Sequence, residues 1–181
     1  EYLASLWIAR TFQNIRLLVR RCLFENFLGA LTCAPDMSLL QAMIPHLAQE
    51  RRRRSIALEI LDQVGLSDRQ NLLAHQLSLG EQRRLELARV IARKPDIMML
   101  DEPASGMTPH ETEVMAHLIE NIAKDGPTIL LIEHKIGLVM ALCHRIAVLN
   151  FGRKIAEGTP EEIQNYYTVI EAYLGSGTAL A

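Results

Sequence analysis

The sequence is poor in cysteine and aromatic residues and contains no long hydrophobic run. Its three cysteines, Cys22, Cys33 and Cys143, form no CxxC pair and are odd in number, which excludes a disulfide framework and fits a reducing cytosol. Aromatic residues make up only 5% of the 181 residues. No apolar stretch approaches the roughly 18 residues that a membrane-spanning helix needs.

An excess of charge of one sign is also lacking. The 19 basic and 21 acidic residues give a net charge of −2, and the isoelectric point is near 6.3. A general binder of nucleic acid or of a membrane surface is expected to be more basic. Hydrophobic residues make up 49% of the chain, which excludes a disordered or low-complexity protein. One domain, or one domain with a small appendage, is the expected organisation.

The first half of the chain has helical patterning. Apolar spacing predicts a helix from Arg51 to Val64 that ends at Gly65. The four arginines 51–54 are interpreted as the solvated start of this helix, with a phosphate-binding patch as the alternative. Ser78 and Glu81 have the spacing of a capping box, which predicts that another helix begins there.

The second half alternates strands and helices. Residues 97–100 and 128–132 are short apolar runs typical of strands covered on both faces, and a helix that begins after Thr108 joins them as a parallel crossover. Residues 145–149 and 154–157 flank a glycine turn and predict a hairpin. Thr159 is expected to cap a final helix.

Polar pairs follow both predicted strands. Asp101 and Glu102 end the first, and Glu133 and His134 end the second. Ligands of open parallel sheets bind at the carboxyl ends of the strands. There Asp101 could hold Mg²⁺, Glu102 could orient or deprotonate a water, and His134 could donate to a phosphate oxygen. The alternative is that the two carboxylates only cap the next turn and that His134 is a partly buried polar residue.

The predicted helix start at Ser78 is a candidate anion site, because its first amides lack helical partners and the helix dipole is positive there. Gly80 would let a phosphate approach the backbone closely. Most capping boxes only begin helices, so this pattern is weak by itself.

Taken in order, these segments resemble the motifs of ATP-binding-cassette (ABC) ATPases. Residues 77–89 resemble the signature segment, and residues 97–103 resemble the Walker B strand with its catalytic glutamate. Residues 104–107 stand at the position of the D-loop, residues 132–134 resemble the switch-histidine strand, and residues 10–13 resemble the Q-loop.

The resemblance implies an α/β fold: a partial P-loop NTPase-like ABC ATPase domain. A parallel sheet with flanking helices would carry an α-helical subdomain, without the N-terminal strands and the Walker A loop. The implied organisation is a Q-loop region at 1–34 and a helical signature subdomain at 35–95. The C-terminal part of the α/β core would occupy 96–181, with Walker B, D-loop, switch histidine and a C-terminal helix.

The resemblance also implies roles for individual residues. Glu102, His134 and Gln13 would be catalytic, and Asp101 and Gln13 would bind Mg²⁺. The residues that would contact ATP are those of the signature segment and the D-loop: Ser78, Leu79, Gly80, Glu81 and Gly106.

Further details resemble the ATPases of branched-chain amino acid importers. They lie in the segments 12–17, 102–107, 131–134, 148–152, 155–162 and 169–175. This resemblance implies an ATP-hydrolysing, energy-coupling subunit that pairs with a second ABC ATPase subunit and drives transmembrane permease subunits. A solute-binding protein would be an indirect partner and nucleic acid no partner. The location would be peripheral, on the cytoplasmic face of the inner (plasma) membrane.

Several alternatives remain open at this point. Urea importers and lipopolysaccharide exporters have similar ATPases. A soluble ABC protein that acts on DNA or ribosomes, or a non-catalytic ABC-like interaction module, would share many of the same motifs.

The sequence also departs from the ABC pattern. It contains no G-x-x-x-x-G-K-[ST] loop, whose amides and lysine hold the β- and γ-phosphates. Only 12 residues precede Gln13, and the first residue is Glu1, so the expectation is that the N-terminal part of the domain is missing. Leu79, Glu81 and Lys135 are smaller departures.

We predict that these 181 residues alone neither bind ATP tightly nor hydrolyse it, because the phosphate loop supplies most of the backbone donors for the phosphates. Isothermal titration calorimetry with a non-hydrolysable ATP analogue should show no micromolar binding. A micromolar dissociation constant would contradict the prediction.

Overall fold

The structure is a computed structural model that describes residues 7–11, 17–18, 20–32, 47–124, 126–167 and 169. The chain divides into two compact units, Glu1–Glu133 and His134–Ala181. The predicted boundaries at 34/35 and 95/96 both fall inside the first unit, and this division stays a prediction.

The first unit combines a small sheet with helices. Two 3₁₀ turns, Ser67–Arg69 and Ala74–Gln76, lie between its second and third helices. In chain order its elements are β1 (Ile8–Arg10), α1 (Leu23–Thr32), α2 (Leu47–Gln63), α3 (Leu79–Ile91), β2 (Ile97–Asp101), α4 (Pro109–Lys124) and β3 (Thr128–Ile132).

The sheet is parallel, with β2 between β1 and β3. The register places Asp101 opposite Ile132 at one end of the sheet and Met99 opposite Arg10. The parallel crossover predicted through α4 is therefore confirmed. The strand β1 was not predicted, because three residues carry too little alternation to distinguish a strand from a loop.

The expectation that both long strands are covered on both faces is wrong for the described part of the chain. On one face, Met98 and Leu100 are fully buried, whereas on the other Leu130 and Ile132 are each about half exposed. An unbroken apolar run does not show whether one or both faces are covered. Among the strands that the structure describes, β3 pairs only with β2. The strand β3 therefore forms an edge of the described sheet and also carries this half-exposed apolar face.

The helices α1, α2 and α3 pack against one another. Their buried residues include Leu23, Phe27, Leu61 and Leu85, each with no exposed surface. The predicted helix near residues 51–64 is confirmed, but it begins four residues earlier, at Leu47.

The arginines 51–54 therefore lie within α2 and not at its start. The Arg54 guanidinium carbon lies 5.4 Å from the centre of the Phe24 ring on α1. This cation–π contact joins the two helices at the surface.

One buried amide organises the segment that leads into α1. Asn26 is 1% exposed, and its Oδ1 accepts a hydrogen bond from the Leu18 N–H at 2.7 Å. Its Nδ2 donates to the carbonyls of Leu18, Arg21 and Cys22 at 3.0 to 3.2 Å. A buried polar group is tolerated when it is satisfied in this way. Asn26 thus holds the backbone that precedes α1.

The same segment pairs with the residues that precede α3. Leu23 N–H donates to the Leu72 carbonyl at 3.0 Å, and Ala74 N–H donates to the Arg21 carbonyl at 3.0 Å. The described start of the helical region is therefore tied by backbone hydrogen bonds to the chain that enters α3.

The second unit is built on an antiparallel hairpin, as predicted. It contains α5 (Ile136–Leu142), β4 (Ile146–Asn150), β5 (Arg153–Gly158) and α6 (Pro160–Gln164), and α6 packs against β5. Thr159 Oγ1 accepts from the Glu162 N–H at 3.4 Å, and the Glu162 carboxylate accepts from the Thr159 N–H at 2.9 Å. The predicted cap of α6 is therefore confirmed. The core of this unit comprises Ile146, Val148, Ala156, Ile163 and Val169.

The hairpin turn carries a residue in an unfavourable backbone conformation. Asn150 pairs with Arg153, so the loop is Phe151-Gly152, with φ of +45° and +75°. Two positive φ angles are the mark of a type I′ turn, which favours Asn-Gly. Phe151 is fully exposed, so its ring offers no packing to offset the cost of this conformation.

In the described residues of both units, no helix is long and apolar enough to cross a membrane.

We predict that Phe151→Asn raises the free energy of unfolding of the second unit by about 1 kcal/mol, because an ordinary side chain in this conformation costs about 1–2 kcal/mol and asparagine tolerates it. Urea denaturation followed by circular dichroism measures the change. Phe151→Ala is the control and should leave stability nearly unchanged, since it removes the ring but keeps the β-carbon. Destabilisation by both variants would mean that the ring makes a stabilising contact.

Candidate functional site

The carboxylate at the end of β2 is held by the neighbouring strand. Arg10 Nη2 donates to Asp101 Oδ2 at 2.9 Å. Thr11 is buried, and its Oγ1 accepts a hydrogen bond from the Asp101 N–H at 3.2 Å. The Thr11 N–H donates to the Met99 carbonyl at 2.9 Å. Sequence reasoning missed Arg10 as a partner of Asp101. Only the pairing of β1 with β2 brings the two residues together.

The turn after β2 is bound to the end of β3. The Glu102 N–H donates to the Ile132 carbonyl at 2.9 Å, and the buried Ala104 N–H donates to Glu133 Oε1 at 3.2 Å. Glu102 has a φ of +46°, a conformation that non-glycine residues rarely adopt and that is concentrated at functional sites. Asp101, Glu102 and Glu133 therefore lie together at one end of the sheet.

The start of α3 is a complete capping box, as predicted. Glu81 N–H donates to Ser78 Oγ at 3.2 Å, and Ser78 N–H donates to Glu81 Oε2 at 2.9 Å. The other carboxylate oxygen of Glu81 lies 3.5 Å from Arg69 Nε. The negative charge of Glu81 is thus turned back toward the cap and is partly balanced by Arg69.

The start of α4 is also a capping box. Glu111 Oε2 accepts from the Thr108 N–H at 3.0 Å and from its hydroxyl at 2.9 Å, and Thr108 Oγ1 accepts from the Glu111 N–H at 3.3 Å. The Thr108 backbone and side-chain hydrogen bonds hold the pKa of Glu111 below its usual value, and the charges of Arg84 and His110 act in the same direction. Glu111 is therefore a carboxylate at neutral pH.

The predicted signature and D-loop residues lie close together. Gly106, with a φ of +74°, approaches the Leu79 side chain, and Gly80 approaches the Glu111 side chain. Ser78 and Leu79 are exposed at the surface. The structure thus forms two groups within the first unit, the carboxylates at the sheet end and the start of α3 against the turn after β2.

Neither of the two remaining predicted residues belongs to the described part of the first unit. His134 is exposed and is the first residue of the second unit. Gln13 lies outside the described residues, so its predicted roles in catalysis and Mg²⁺ binding stay predictions.

The residues at the sheet end are chemically suited to Mg²⁺ that arrives with nucleotide phosphates. Such an ion takes one or two protein carboxylates and completes its shell with water and phosphate oxygens. Asp101 provides a carboxylate that is about one-quarter exposed. In the part of the chain that is described, no cluster of three or more His, Cys, Asp or Glu residues is arranged to hold a metal ion.

Comparison with known families and sequences gives consistent matches. The ABC transporter family matches residues 6–105, and the branched-chain amino acid ATP-binding cassette transporter family matches residues 153–179. The chain is 42% identical over 180 residues to the high-affinity branched-chain amino acid transport ATP-binding protein LivG of Salmonella typhimurium, covering 97% of this chain and 70% of LivG. It is 40% identical to the corresponding protein BraF of Pseudomonas aeruginosa, covering 93% and 68%.

Solved structures show the same similarity. The ADP conformation of MJ1267, an ATP-binding cassette of an ABC transporter, superposes with a TM-score of 0.77 at 29% identity, over 97% of this chain and 71% of that chain. The dimeric post-hydrolysis state of the cassette MJ0796, bound to ADP and Pi, gives a TM-score of 0.67 at 26% identity, over 84% and 62%.

We predict that Glu133→Ala lowers the free energy of unfolding of the first unit by about 1–2 kcal/mol, because the buried Ala104 N–H loses an acceptor. Urea unfolding followed by the fluorescence of Trp7, the single tryptophan, measures it. Glu133→Gln keeps a side-chain oxygen and should cost less than half as much. An equal loss in both variants would show that the charge of Glu133, and not this hydrogen bond, is what stabilises the turn.

Proposed function

The chain belongs to the ABC transporter family of ATP-binding subunits, and from this premise we propose that it serves the import of branched-chain amino acids. The observation that carries the proposal is the match along nearly the whole chain to LivG and BraF, both named for branched-chain amino acid transport. The separate match of residues 153–179 to the branched-chain cassette family supports it from the second unit.

At the sheet end we propose different roles for the adjacent carboxylates of Asp101 and Glu102. Asp101, whose carboxylate accepts a hydrogen bond from Arg10, would hold Mg²⁺ through water. When Mg²⁺ is bound together with nucleotide phosphates, it neutralises part of their negative charge. Glu102 would orient and polarise the attacking water as a general base. The hydrogen bonds that fix the turn on β3 support this role, because a base must be held in place to act.

His134 and Gln13 complete the proposed catalytic set. His134 would donate to the γ-phosphate, for which its exposed imidazole is accessible. Gln13 would contact Mg²⁺ and the water and link the site to the permease.

The start of α3 is the proposed contact with ATP held by a second ABC ATPase subunit. Ser78, Leu79, Gly80, Glu81 and Gly106 form this surface. The positive end of the helix dipole favours a phosphate there, and the exposed Ser78 hydroxyl is a further donor. The dimeric MJ0796 structure, bound to ADP and Pi, supports a shared arrangement in which two cassettes face each other.

The proposed setting is an assembly at a membrane. Two ATPase subunits would couple ATP hydrolysis to transmembrane permease subunits at the cytoplasmic face of the inner (plasma) membrane, with a solute-binding protein delivering the amino acid. The protein would be a peripheral member of this assembly.

A non-catalytic role is the second candidate, because the 181 residues contain no Walker A loop. In that case the chain would bind an ABC partner without completing a site for hydrolysis. A mixing experiment separates the two candidates.

We predict that this chain restores ATP hydrolysis to a complete LivG-type cassette whose own signature helix has been disabled, because each shared site needs one Walker A and one signature helix. Phosphate release should appear only when the two proteins are mixed. Ser78→Ala should abolish the restored activity, since it removes both the cap, worth about 1 kcal/mol, and the hydroxyl donor.

Ser78→Gly distinguishes these two contributions of Ser78. Glycine costs only a few tenths of a kcal/mol as a cap, so activity lost in Ser78→Gly would be due to the missing hydroxyl. Binding without any phosphate release in the parental mixture would support the non-catalytic role. Activity in Ser78→Gly equal to that of the parent would leave Ser78 only as a cap.

A further inference from the structure

Two glycines lie where the start of α3 meets residues 102–111, which form the turn after β2 and the first turn of α4. Each glycine makes room for a side chain from the opposite segment. A β-carbon placed on Gly80 would lie 2.6 Å from Glu111 Oε1 and 3.0 Å from its Cδ. A β-carbon placed on Gly106 would lie 2.8 Å from Leu79 Cδ2. Real β-carbons essentially never approach other heavy atoms this closely, so both positions exclude a larger residue unless the neighbour moves.

Glu111 cannot move away without cost. One of its oxygens accepts hydrogen bonds from the backbone and the hydroxyl of Thr108, and these bonds begin α4. The other oxygen is the one that fills the space beside Gly80. The side chain is therefore held at one end by the cap of α4 and touches α3 at the other.

We propose that Glu111 is a positioning residue that, through its contact with Gly80 and together with the contact of Leu79 with Gly106, locks the start of α3 to the turn after β2 and the first turn of α4. These contacts join residues 78–81 to residues 102–111 as one body within the first unit. This inference assigns Gly80 a role inside the chain, in addition to the proposed approach of a phosphate.

The consequence for the site follows from the connections of each segment. The turn after β2 is bound to β3 through Ala104 and Glu133, and it contains Glu102. The two contacts, which we call the lock, would hold the start of α3 with Ser78 at a fixed position relative to the carboxylates at the sheet end. This consequence rests on the proposed function, whereas the lock itself does not.

The test is a double-variant cycle on the full chain, read out by hydrogen–deuterium exchange of peptides from α3. Gly80→Ala should reduce the protection of α3 by about tenfold or more, because overpacking a tight contact is costly. In the Glu111→Ala background the same substitution should change protection less than twofold, because the obstructing carboxylate is gone. Glu111→Gln keeps the size of the side chain, so Gly80→Ala should remain as harmful in that background as in the parent.

Gly137→Ala in α5 is the matched control, since a β-carbon there would meet no atom within 4 Å. It should leave the protection of α5 unchanged or higher, as expected when a helical glycine is replaced by alanine. The lock is refuted if Gly80→Ala reduces the protection of α3 by the same factor with and without Glu111→Ala. It is refuted equally if Gly80→Ala unfolds the protein in both backgrounds. It is also refuted if Gly80→Ala does not reduce protection in the parent.

The mixing experiment supplies the functional readout. Glu111→Ala should lower the maximal restored rate at least several-fold with little change in the ATP concentration for half-maximal rate, and Glu111→Gln should recover most of that rate. A loss that Glu111→Gln does not recover, with exchange unchanged, would overturn the positioning role. Absence of restored hydrolysis with the parental chain would instead count against the proposed function, and the exchange cycle would still decide the lock.

Discussion

The parallel register between β2 and β3 is the constraint on which the site depends. It places Asp101 beside Ile132, so that both strands end at the same level. From that point the Glu102 N–H continues the ladder to Ile132, and Glu133 receives the Ala104 N–H. A one-residue slip would invert the side chains of β2 and move Asp101 to the other face. The register of the apolar residues of β2 thus fixes where Asp101 and Glu102 lie.

Helix starts are the second recurring element of this fold. Ser78–Glu81, Thr108–Glu111 and Thr159–Glu162 each exchange backbone and side-chain hydrogen bonds in the same pattern. The pattern satisfies amides that a helix otherwise leaves unpaired. In the first unit it also places carboxylates near the start of α3, where Arg69 and Arg84 balance them. A cap is therefore both a local signal that a helix begins and part of the electrostatics of the surface that is proposed to face a second subunit.

Much of this could be predicted from the sequence because the signals are local. The caps, the glycine turn of the hairpin and the crossover between β2 and β3 depend on residues only a few positions apart or on a clear change of periodicity. The pairing of Arg10 with Asp101, the exposed face at Leu130 and the backbone of Glu102 could not be predicted in this way. They depend on which strand lies beside which, on what covers the sheet and on hydrogen bonds from a distant strand. The roles expected of Asp101, Glu102 and His134 came from the polar pairs at the strand ends together with the resemblance to ABC ATPases, whereas the role expected of Gln13 came from the resemblance alone.

The hydrogen bonds between the start of α1 and the chain before α3 also constrain the order in which the protein folds. Residues 21–24 find their backbone partners at residues 70–74, so the ribosome must release a long intervening stretch, including all of α2, before these bonds can form. Contacts between distant parts of a chain slow folding, because the entropy cost of closing the loop comes before the contacts lower the free energy. Until then, Asn26 can satisfy only the local carbonyls and the amide of Leu18. The helical region is therefore expected to mature only after residue 74 has emerged, shortly before the strand that carries Asp101 emerges.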